Sequence, residues 1–301
     1  MVSPSGEQYE ISAAGYAATV TESGASLRLL SKDGRALIDG FGEDAMSSAC
    51  RGQLLMPWPN RIRDGRYTFD GATQQLPLSE PGRHNASHGL ARWASWHVVE
   101  RSAERIELGL RLLAQSGYPW TLDLGVVYQL GADGLVVTQR ATNVSDSPAP
   151  YAAGAHPYLT LDTGGPVDAW TLQAPAATRI LSDPERLLPT GSEPVAGTAY
   201  DFRTARPIGE TALDTCFTDL ARDEAGIATV TLSTGERALE LWLDGAHGWL
   251  MLYTADDRTP PRRSIAVEPM TAAVDAFNSG QGLVTLRPGE TFSARWGLRG
   301  R

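Results

Sequence analysis

Two of the five histidines and one glutamate stand in settings that suggest acid–base chemistry. His88 lies in the turn-like segment Asn85–Gly89, and His156 lies between an apolar run and Pro157. An imidazole titrates near neutral pH, so a histidine placed in a loop can give or take a proton. Each histidine taken alone is explained as simply by an ordinary structural role, so the histidines by themselves predict no active site.

The other three histidines carry weaker signals. His247 lies in the turn segment Asp244–Gly248 and is expected to be a solvated loop residue. His97 precedes two valines in an apparent strand and is expected to pack there, and His84 lies in a polar loop. The sequence has no His-Glu-x-x-His spacing, so it predicts no metal site.

Glu268 is the second unusual residue, because it stands between an apolar strand end and Pro269. A carboxylate on an internal strand would be poorly solvated, and a buried carboxylate is costly unless it is hydrogen-bonded or functional. A carboxylate on an exposed strand end would be ordinary. The local sequence leaves both interpretations open.

Arg61 and Asp214 have the side chains that bind polar ligands. The guanidinium of Arg61 can donate several hydrogen bonds to sugar hydroxyls or to an anionic group, although the Asp64-Gly65 turn nearby also fits a surface arginine. Asp214, flanked by apolar residues, can accept hydrogen bonds from hydroxyls or cap a turn. Eight Trp and nine Tyr residues supply flat faces with polar handles, which suit sugar rings. These residues are compatible with a carbohydrate-binding cleft, although most of the aromatic residues could equally belong to the core.

Short strands must position these residues. Segments with an apolar period near two are bounded by Gly, Pro, Asp or Asn, which is typical of half-buried strands. They comprise Tyr16–Thr21, Arg105–Leu112, Leu122–Leu130, Leu135–Thr142, Ala228–Ser233, Leu239–Leu243 and Trp249–Tyr253. Turn signals such as Asp33-Gly34 and Asp70-Gly71 separate strands, because glycine supplies positive φ where the chain reverses. The pattern predicts an all-β protein, a large antiparallel β-sandwich.

The chain is predicted to be one domain over residues 1–301, because no repeat, linker or shift in composition divides it. Residues 187–207 are rich in proline and are expected to be a long surface connection, and Pro269–Phe277 to be a short helical turn or a loop.

The net charge, the lack of long apolar segments and the two cysteines limit the partners and the compartment that we expect for the protein. The formal net charge of −9 disfavours binding to nucleic acid and to anionic membranes. No stretch approaches the roughly 18 apolar residues that span a bilayer, and no secretory signal is visible. Cys50 and Cys216 are too few and too distant for a disulfide framework, and we expect buried free thiols in a reducing compartment. The protein is therefore expected to be cytoplasmic.

Five segments in series resemble the aldose 1-epimerase (galactose mutarotase) family. They are Asn60–Ile62 with Gly65–Tyr67, Asn85–Gly89, His156–Tyr158, Leu213–Phe217 and Val267–Thr271 with Asn278. The resemblance covers nearly the whole chain and implies the sandwich of galactose mutarotase, with an open cleft and no cofactor. It implies an isomerase that interconverts the α and β anomers of an aldose.

The resemblance also implies roles for individual residues. Glu268 matches the catalytic base and His156 the catalytic acid. Arg61, His88 and Asp214 match sugar-binding positions, and Asn60 and Tyr158 from the same segments are assigned to substrate binding with them. A carboxyl with a pKa of about 4.3 is ionised at pH 7, and an imidazole of pKa about 6.5 can donate a proton if a neighbouring carboxylate keeps it partly protonated.

The substrate is left open, because the chain departs from the better-known mutarotases. Leu90 follows His88-Gly89 where they tend to carry a second glycine, and Pro157 follows His156 where they tend to carry a polar residue. This resembles a divergent bacterial branch. Alternatives are a sulfonated sugar such as sulfoquinovose, paired with Arg61 or Arg63, or a hexose 6-phosphate.

Two further alternatives concern the activity itself. One is a sugar-binding sandwich without catalysis, although a pure binder has no need of a matched acid and base. The other is a polysaccharide lyase or hydrolase, although hydrolysis calls for a second acid that the sequence does not supply. The expected partner is a small monosaccharide, and the protein is expected to be a monomer or a homodimer.

Overall fold

Short antiparallel strands joined by tight turns make up most of the protein, whose computed structural model describes residues 2–161, 163–235 and 237–301. At Asp33-Gly34 and at Asp70-Gly71 both residues have positive φ. That is the geometry of the two-residue hairpin turn whose twist matches the strands on either side. The turn residues in the sequence therefore define where the chain reverses.

The strands are numbered in chain order. The first third of the chain contains β1 (Gln8–Ala13), β2 (Tyr16–Thr21), β3 (Leu27–Lys32), β4 (Arg35–Ala36), β5 (Leu54–Leu55), β6 (Arg61–Arg63), β7 (Arg66–Phe69), β8 (Ala72–Gln75), β9 (Asn85–Ser87) and β10 (His97–Arg101). The middle contains β11 (Arg105–Leu112), β12 (Leu122–Gly131), β13 (Gly134–Asn143), β14 (Ala149–Tyr151), β15 (Gly154–Ala155), β16 (Tyr158–Leu159), β17 (Thr171–Gln173), β18 (Ala176–Ser182) and β19 (Pro189–Pro194). The last third contains β20 (Arg206–Pro207), β21 (Asp214–Leu220), β22 (Ala228–Thr234), β23 (Arg237–Leu243), β24 (Trp249–Tyr253), β25 (Ile265–Met270), β26 (Val284–Leu286) and β27 (Thr291–Gly300).

Two large sheets dominate the described residues. One has the strand order β10-β11-β12-β13-β27-β23-β22-β17-β20, and the other has the order β19-β18-β21-β24-β25-β15-β5, with β16 also paired to β25. Strands β1 to β4 form a smaller meander, and three two-stranded ribbons pair β6 with β9, β7 with β8 and β14 with β26. Neighbouring strands are antiparallel, as the sequence predicts.

One apolar core joins the two large sheets. Leu108 and Val137 from the first sheet belong to the same buried cluster as Leu250 and Val267 from the second. Along β22 and β23 buried residues alternate with partly exposed ones, because successive side chains of a strand point to opposite faces. The all-β antiparallel sandwich predicted from the sequence is confirmed.

The seven strands predicted from the sequence are all present, with ends within two residues of those expected. The 187–207 segment is not only a surface connection, because it contributes β19 and β20 to the two large sheets. Helix is scarce: α1 covers Ala276–Ser279, and 3-10 turns cover Pro81–Arg83 and Val167–Ala169. In the part of the chain that the structure describes, no helix has the length and apolar character needed to cross a membrane.

Two expectations for the histidines are wrong. His247 is fully buried rather than solvated, because its turn folds inward and its Nδ1 lies 2.9 Å from Asp244 Oδ1. His97 is exposed rather than packed, because it begins β10, an edge strand with every residue exposed to solvent. In both places burial depends on which other segments of the protein pack against the histidine, and the local sequence does not encode that packing.

Candidate functional site

A cleft of about 230 Å³ opens on the eight-stranded sheet. Pockets that hold drug-sized ligands usually measure about 300–1,000 Å³, so this volume suits a smaller molecule such as a monosaccharide. All seven residues that the sequence analysis assigned to catalysis or binding line it. They are Asn60, Arg61, His88, His156, Tyr158, Asp214 and Glu268.

Strand β25 places Glu268 on the cleft side of the sheet. Ile265 and Val267 point into the main core, whereas Ala266 and Met270 belong to small clusters on the other face. Glu268 shares that second face because side chains alternate along a strand. Only 2% of the residue is exposed, so the interpretation of Glu268 as an exposed strand end is excluded.

His156 lies directly opposite Glu268. Gly154 pairs with Met270 and Tyr158 pairs with Ala266 on either side of it, so the antiparallel register sets residue 156 against residue 268. The pairing is interrupted between the two short strands, where Pro157 has no amide hydrogen to donate to the ladder. The interruption allows the imidazole to reach the carboxylate across the gap.

The two side chains are in contact inside a nearly closed environment. His156 Nε2 lies 3.2 Å from Glu268 Oε1, and the side chains are 7% and 3% exposed. The remaining polar atoms, His156 Nδ1 and Glu268 Oε2, are buried and find no partner among the described residues. Since an unsatisfied buried polar atom costs free energy, a site that keeps two of them is better explained by ligand binding than by stability.

Burial moves the pKa values of this pair away from those expected from the sequence. Desolvation, with the negative charge of Asp214 adding to it, raises the pKa of the Glu268 carboxyl well above its usual range. Desolvation lowers the pKa of His156 to about 3. The ordinary values assumed from the sequence therefore do not apply, because burial favours the uncharged form of each member of the pair.

A backbone ribbon fixes His88 beside this pair. Arg61 pairs with Ser87 in the ribbon of β6 and β9, and Asn60 and His88 form the next pair beyond its end. The His88 amide donates to the Asn60 carbonyl at 2.8 Å, and the Asn60 amide donates to His88 Nδ1 at 3.2 Å. Both residues have left-handed φ angles, 55° and 62°. Such backbone strain concentrates at functional sites.

This hydrogen bond defines which nitrogen of His88 carries the proton. Because Nδ1 accepts from Asn60, the neutral ring is protonated on Nε2. Burial first, and then the charges of His156, Arg61 and Arg92, lower the pKa of His88 well below its usual value. His88 is thus a neutral hydrogen-bond donor. Its ring meets the His156 ring edge-on, with the ring centroids 5.5 Å apart.

Arg61 is held rigidly by a residue that the sequence analysis did not identify. Its Nε and Nη2 donate to the two oxygens of Glu80 at 2.8 and 2.9 Å. Burial alone would raise the pKa of Glu80, but the hydrogen bonds and charge of Arg61, together with Asn85 and Arg83, outweigh it and hold that pKa below its usual range. Asp214, the first residue of β21, lines the cleft as an exposed residue, yet partial desolvation raises its pKa. Arg61 and Asp214 line the same cleft and can therefore bind the hydroxyls of a ligand there.

Several other cleft residues had no recognisable signal in the sequence. Glu80, Arg92, Tyr253 and Arg258 line the cleft from loops or strand ends, where charged and polar residues are common. Cys50 also lines it and is partly exposed as a residue, although burial raises the pKa of its thiol, whereas Cys216 is buried. Arg63 does not line the cleft and instead lies 3.6 Å from Asp275, which removes it as a ligand for an anionic sugar.

Within the described ranges no three His, Cys, Asp or Glu side chains are grouped so as to hold a metal ion. The paired carboxylate and imidazole are instead suited to moving protons between neighbouring oxygen atoms.

For the aldose substrate that the sequence resemblance implies, we expect Arg61→Lys to raise KM about 10- to 100-fold, the range for losing a hydrogen bond to a charged group, with a smaller fall in kcat. Lysine is a point charge and cannot reproduce the planar fork that Glu80 orients. Steady-state kinetics followed by polarimetry measure both constants. The control is Arg179→Lys, whose guanidinium forms a similar pair with Glu193 outside the cleft. An unchanged KM in Arg61→Lys would remove Arg61 from sugar binding.

Comparison with known proteins gives a consistent result. The family model described as aldose 1-epimerase matches residues 7–299. YihR, an uncharacterised protein of Escherichia coli K12, is 34% identical over 95% of this chain and 91% of its own length. The aldose 1-epimerase of the same organism is 30% identical over 69% of this chain and 64% of its own length.

A solved structure shares the architecture. The galactose 1-epimerase of Lactobacillus acidophilus NCFM superposes with a TM-score of 0.83 at 25% identity, covering 98% of this chain and 94% of that one.

Proposed function

The chain belongs to the aldose 1-epimerase family, and on that premise we propose that it interconverts the α and β anomers of an aldose with Glu268 as general base and His156 as general acid. The observation that carries the proposal is the contact of 3.2 Å between His156 Nε2 and Glu268 Oε1 in a cleft of monosaccharide size.

The chemistry requires a base and an acid that are neighbours. The anomeric hydroxyl and the ring oxygen are both bonded to C1, so the groups that serve them must lie side by side. Glu268 and His156 meet this condition, because their side chains touch. The sugar is therefore bound with its anomeric end at this pair and its other hydroxyls toward Arg61 and Asp214.

The proton transfers balance without a cofactor. Glu268 takes the proton of the anomeric hydroxyl while the bond between C1 and the ring oxygen breaks, and the ring oxygen takes a proton from His156. The aldehyde rotates about C1–C2. In the return step the C5 hydroxyl gives its proton to His156 and closes on the other face of C1, and Glu268 returns its proton to the new anomeric hydroxyl.

The neighbouring residues prepare the pair for this exchange. The positive charge of Arg61 lowers the pKa of Glu268 against the effect of burial. A sugar hydroxyl that donates to the carboxylate acts in the same direction and favours the form with the proton on His156. The Nε2–H group of His88 stabilises negative charge that develops on the ring oxygen.

A panel of pure anomers tests the function. Freshly dissolved α-anomers of glucose, galactose and sulfoquinovose are followed by polarimetry at low temperature, with and without the protein. At least one sugar is expected to reach its equilibrium rotation faster with the protein. Decay at the uncatalysed rate for every sugar, combined with measurable sugar binding, would favour the alternative of a binding protein without catalysis.

Arg92 supports a second candidate function, the same reaction on a sugar with an anionic group at C6. Arg92 lines the cleft, and among the residues described it has no carboxylate within ion-pair distance; its Nη1 lies 3.4 Å from Cys50 Sγ. C6 is bonded to C5, which carries the ring oxygen served by His156. The charge of Arg92 acts on His156, so the guanidinium lies on this side of the cleft.

We expect Arg92→Met to raise KM for an anionic substrate about 10- to 100-fold, the range for a lost charge-assisted hydrogen bond, and to change KM for a neutral aldose much less. The measurement compares sulfoquinovose, glucose 6-phosphate and glucose in the same assay. The control is Arg63→Met, outside the cleft, which is expected to leave KM unchanged for both the anionic and the neutral sugars. Equal effects of Arg92→Met on charged and neutral sugars would eliminate the anionic substrate.

A further inference from the structure

Two planar groups stack behind the catalytic imidazole. The Tyr158 ring lies nearly parallel to the His156 ring, with centroids 5.0 Å apart and planes 16° apart. The guanidinium of Arg51 covers the Tyr158 ring at 4.6 Å from its centroid. Tyr158 is 1% exposed, and its hydroxyl donates to the Ala49 carbonyl at 3.1 Å. The ring of Tyr158 therefore supports His156, and its hydroxyl is engaged by the backbone rather than available to a sugar.

Arg51 is itself anchored at several points. Its Nη2 lies 3.4 Å from Asp39 Oδ2, and its Nη1 donates to the Ser48 carbonyl at 3.3 Å. Asp39 is fixed in turn, since it accepts from the Ser264 hydroxyl at 2.9 Å and its amide donates to the Tyr158 carbonyl at 2.8 Å. Asp39 thus holds both the backbone of Tyr158 and the side chain that covers its ring.

The segment that carries Arg51 also binds the backbone of His156. The Gly52 amide donates to the His156 carbonyl at 3.0 Å, and the His156 amide donates to the Gln53 carbonyl at 3.0 Å. The position of Arg51 relative to His156 is therefore determined by main-chain hydrogen bonds as well as by stacking.

We infer that Arg51, which does not line the cleft, is a positioning residue that acts through Tyr158 to hold the plane of the His156 imidazole against Glu268. The inference rests on the proposed function, because it concerns the orientation of the group proposed as general acid. A displacement of 1 Å between reacting groups can cost about 100-fold in rate, so loss of this support should reduce catalysis more than sugar binding.

Kinetics of matched variants test the inference. Arg51→Met is expected to lower kcat about tenfold while KM changes less than about twofold, because the sugar-binding residues are untouched. Arg51→Lys keeps the charge and should recover part of the loss. Arg263→Met is the control, because Arg263 also lies 3.4 Å from Asp39 but does not cover Tyr158. Thermal unfolding of each variant confirms that it is folded.

A second readout does not depend on activity. The charge of Arg51 contributes to the low pKa of His156, after the larger effect of burial. In NMR titrations His156 should take up its proton at higher pH in Arg51→Met than in the wild type, and at the wild-type pH in Arg51→Lys and Arg263→Met. The other titratable and charged groups that act on or contact this ring are Glu268, His88, Tyr158, Arg92 and Arg258.

The outcomes separate this inference from the proposed function. A wild-type protein that accelerates no mutarotation would contradict the proposed function, whereas the NMR shift would still support the coupling of Arg51 to His156. A folded Arg51→Met protein with the kcat and the His156 titration of the wild type would overturn the inference and leave the proposed function standing.

Discussion

Replacing Glu268 with glutamine is expected to lower kcat about 10²- to 10⁴-fold, the usual contribution of one positioned proton-transfer group. The amide has the shape of the carboxylate and can still contact His156, but it cannot accept the proton of the anomeric hydroxyl. Sugar affinity should change little, because the glutamine keeps an oxygen that accepts hydrogen bonds. Polarimetry with a pure anomer and direct binding measurements distinguish the two effects.

The same variant should be no less stable than the wild type at neutral pH. Burial raises the pKa of Glu268, so the folded protein holds a proton that the unfolded chain releases, and stability falls as pH rises above the ordinary value for a glutamate. A neutral glutamine removes this loss of stability at high pH, and thermal unfolding of the two proteins measures the difference. Glu240→Gln is the control, because Glu240 is also largely buried but pairs with Arg299 and Arg301 outside the cleft. Wild-type kcat in Glu268→Gln would remove Glu268 as the base.

Replacing His156 with glutamine is expected to lower kcat by a similar factor of about 10²–10⁴. Glutamine can fill part of the space but cannot deliver a proton to the ring oxygen. The pH profile should change as well. The wild type needs one proton on the pair and should lose activity at both low and high pH, whereas residual activity in His156→Gln should only rise with pH as Glu268 ionises.

The control for this variant is His247→Gln. His247 is a fully buried histidine bound to Asp244, and its side chain does not line the cleft. We expect a lower unfolding temperature and an unchanged kcat for it, because a buried imidazole is lost without loss of the acid. A His156→Gln protein that keeps the wild-type kcat and a two-sided pH profile would show that another group supplies the proton.

Local sequence located seven strands and several turns but did not predict burial. Strand β24 has the bounds expected, because alternation and turn residues act over a few positions. The burial of His247 and the exposure of His97 depend on which segments pack over them, and that is a property of the whole sheet. The short β19 was missed because prolines at both its ends suggested a connection.

The residues of the candidate site are predicted by the family resemblance and not by the local sequence patterns around them. Nothing near His156 in the sequence indicates that it faces Glu268, since the pairing follows from strand register across the sheet. Glu80 and Arg92 were missed for the same reason, because a charged loop residue acquires a role only from what the fold brings next to it. The pKa values could not be predicted either, because they follow from burial.

The central claim is that Glu268 and His156 act as one unit on the anomeric centre. The most direct test is the rate of exchange between the α and β anomers of a sugar at equilibrium, measured by NMR with the wild type, with Glu268→Gln and His156→Gln, and with the double variant. We predict that the wild type accelerates the exchange, that each single variant loses nearly all of that acceleration, and that the double variant loses no more than the singles. Losses that multiply in the double variant, or exchange at the wild-type rate in either single variant, would contradict it.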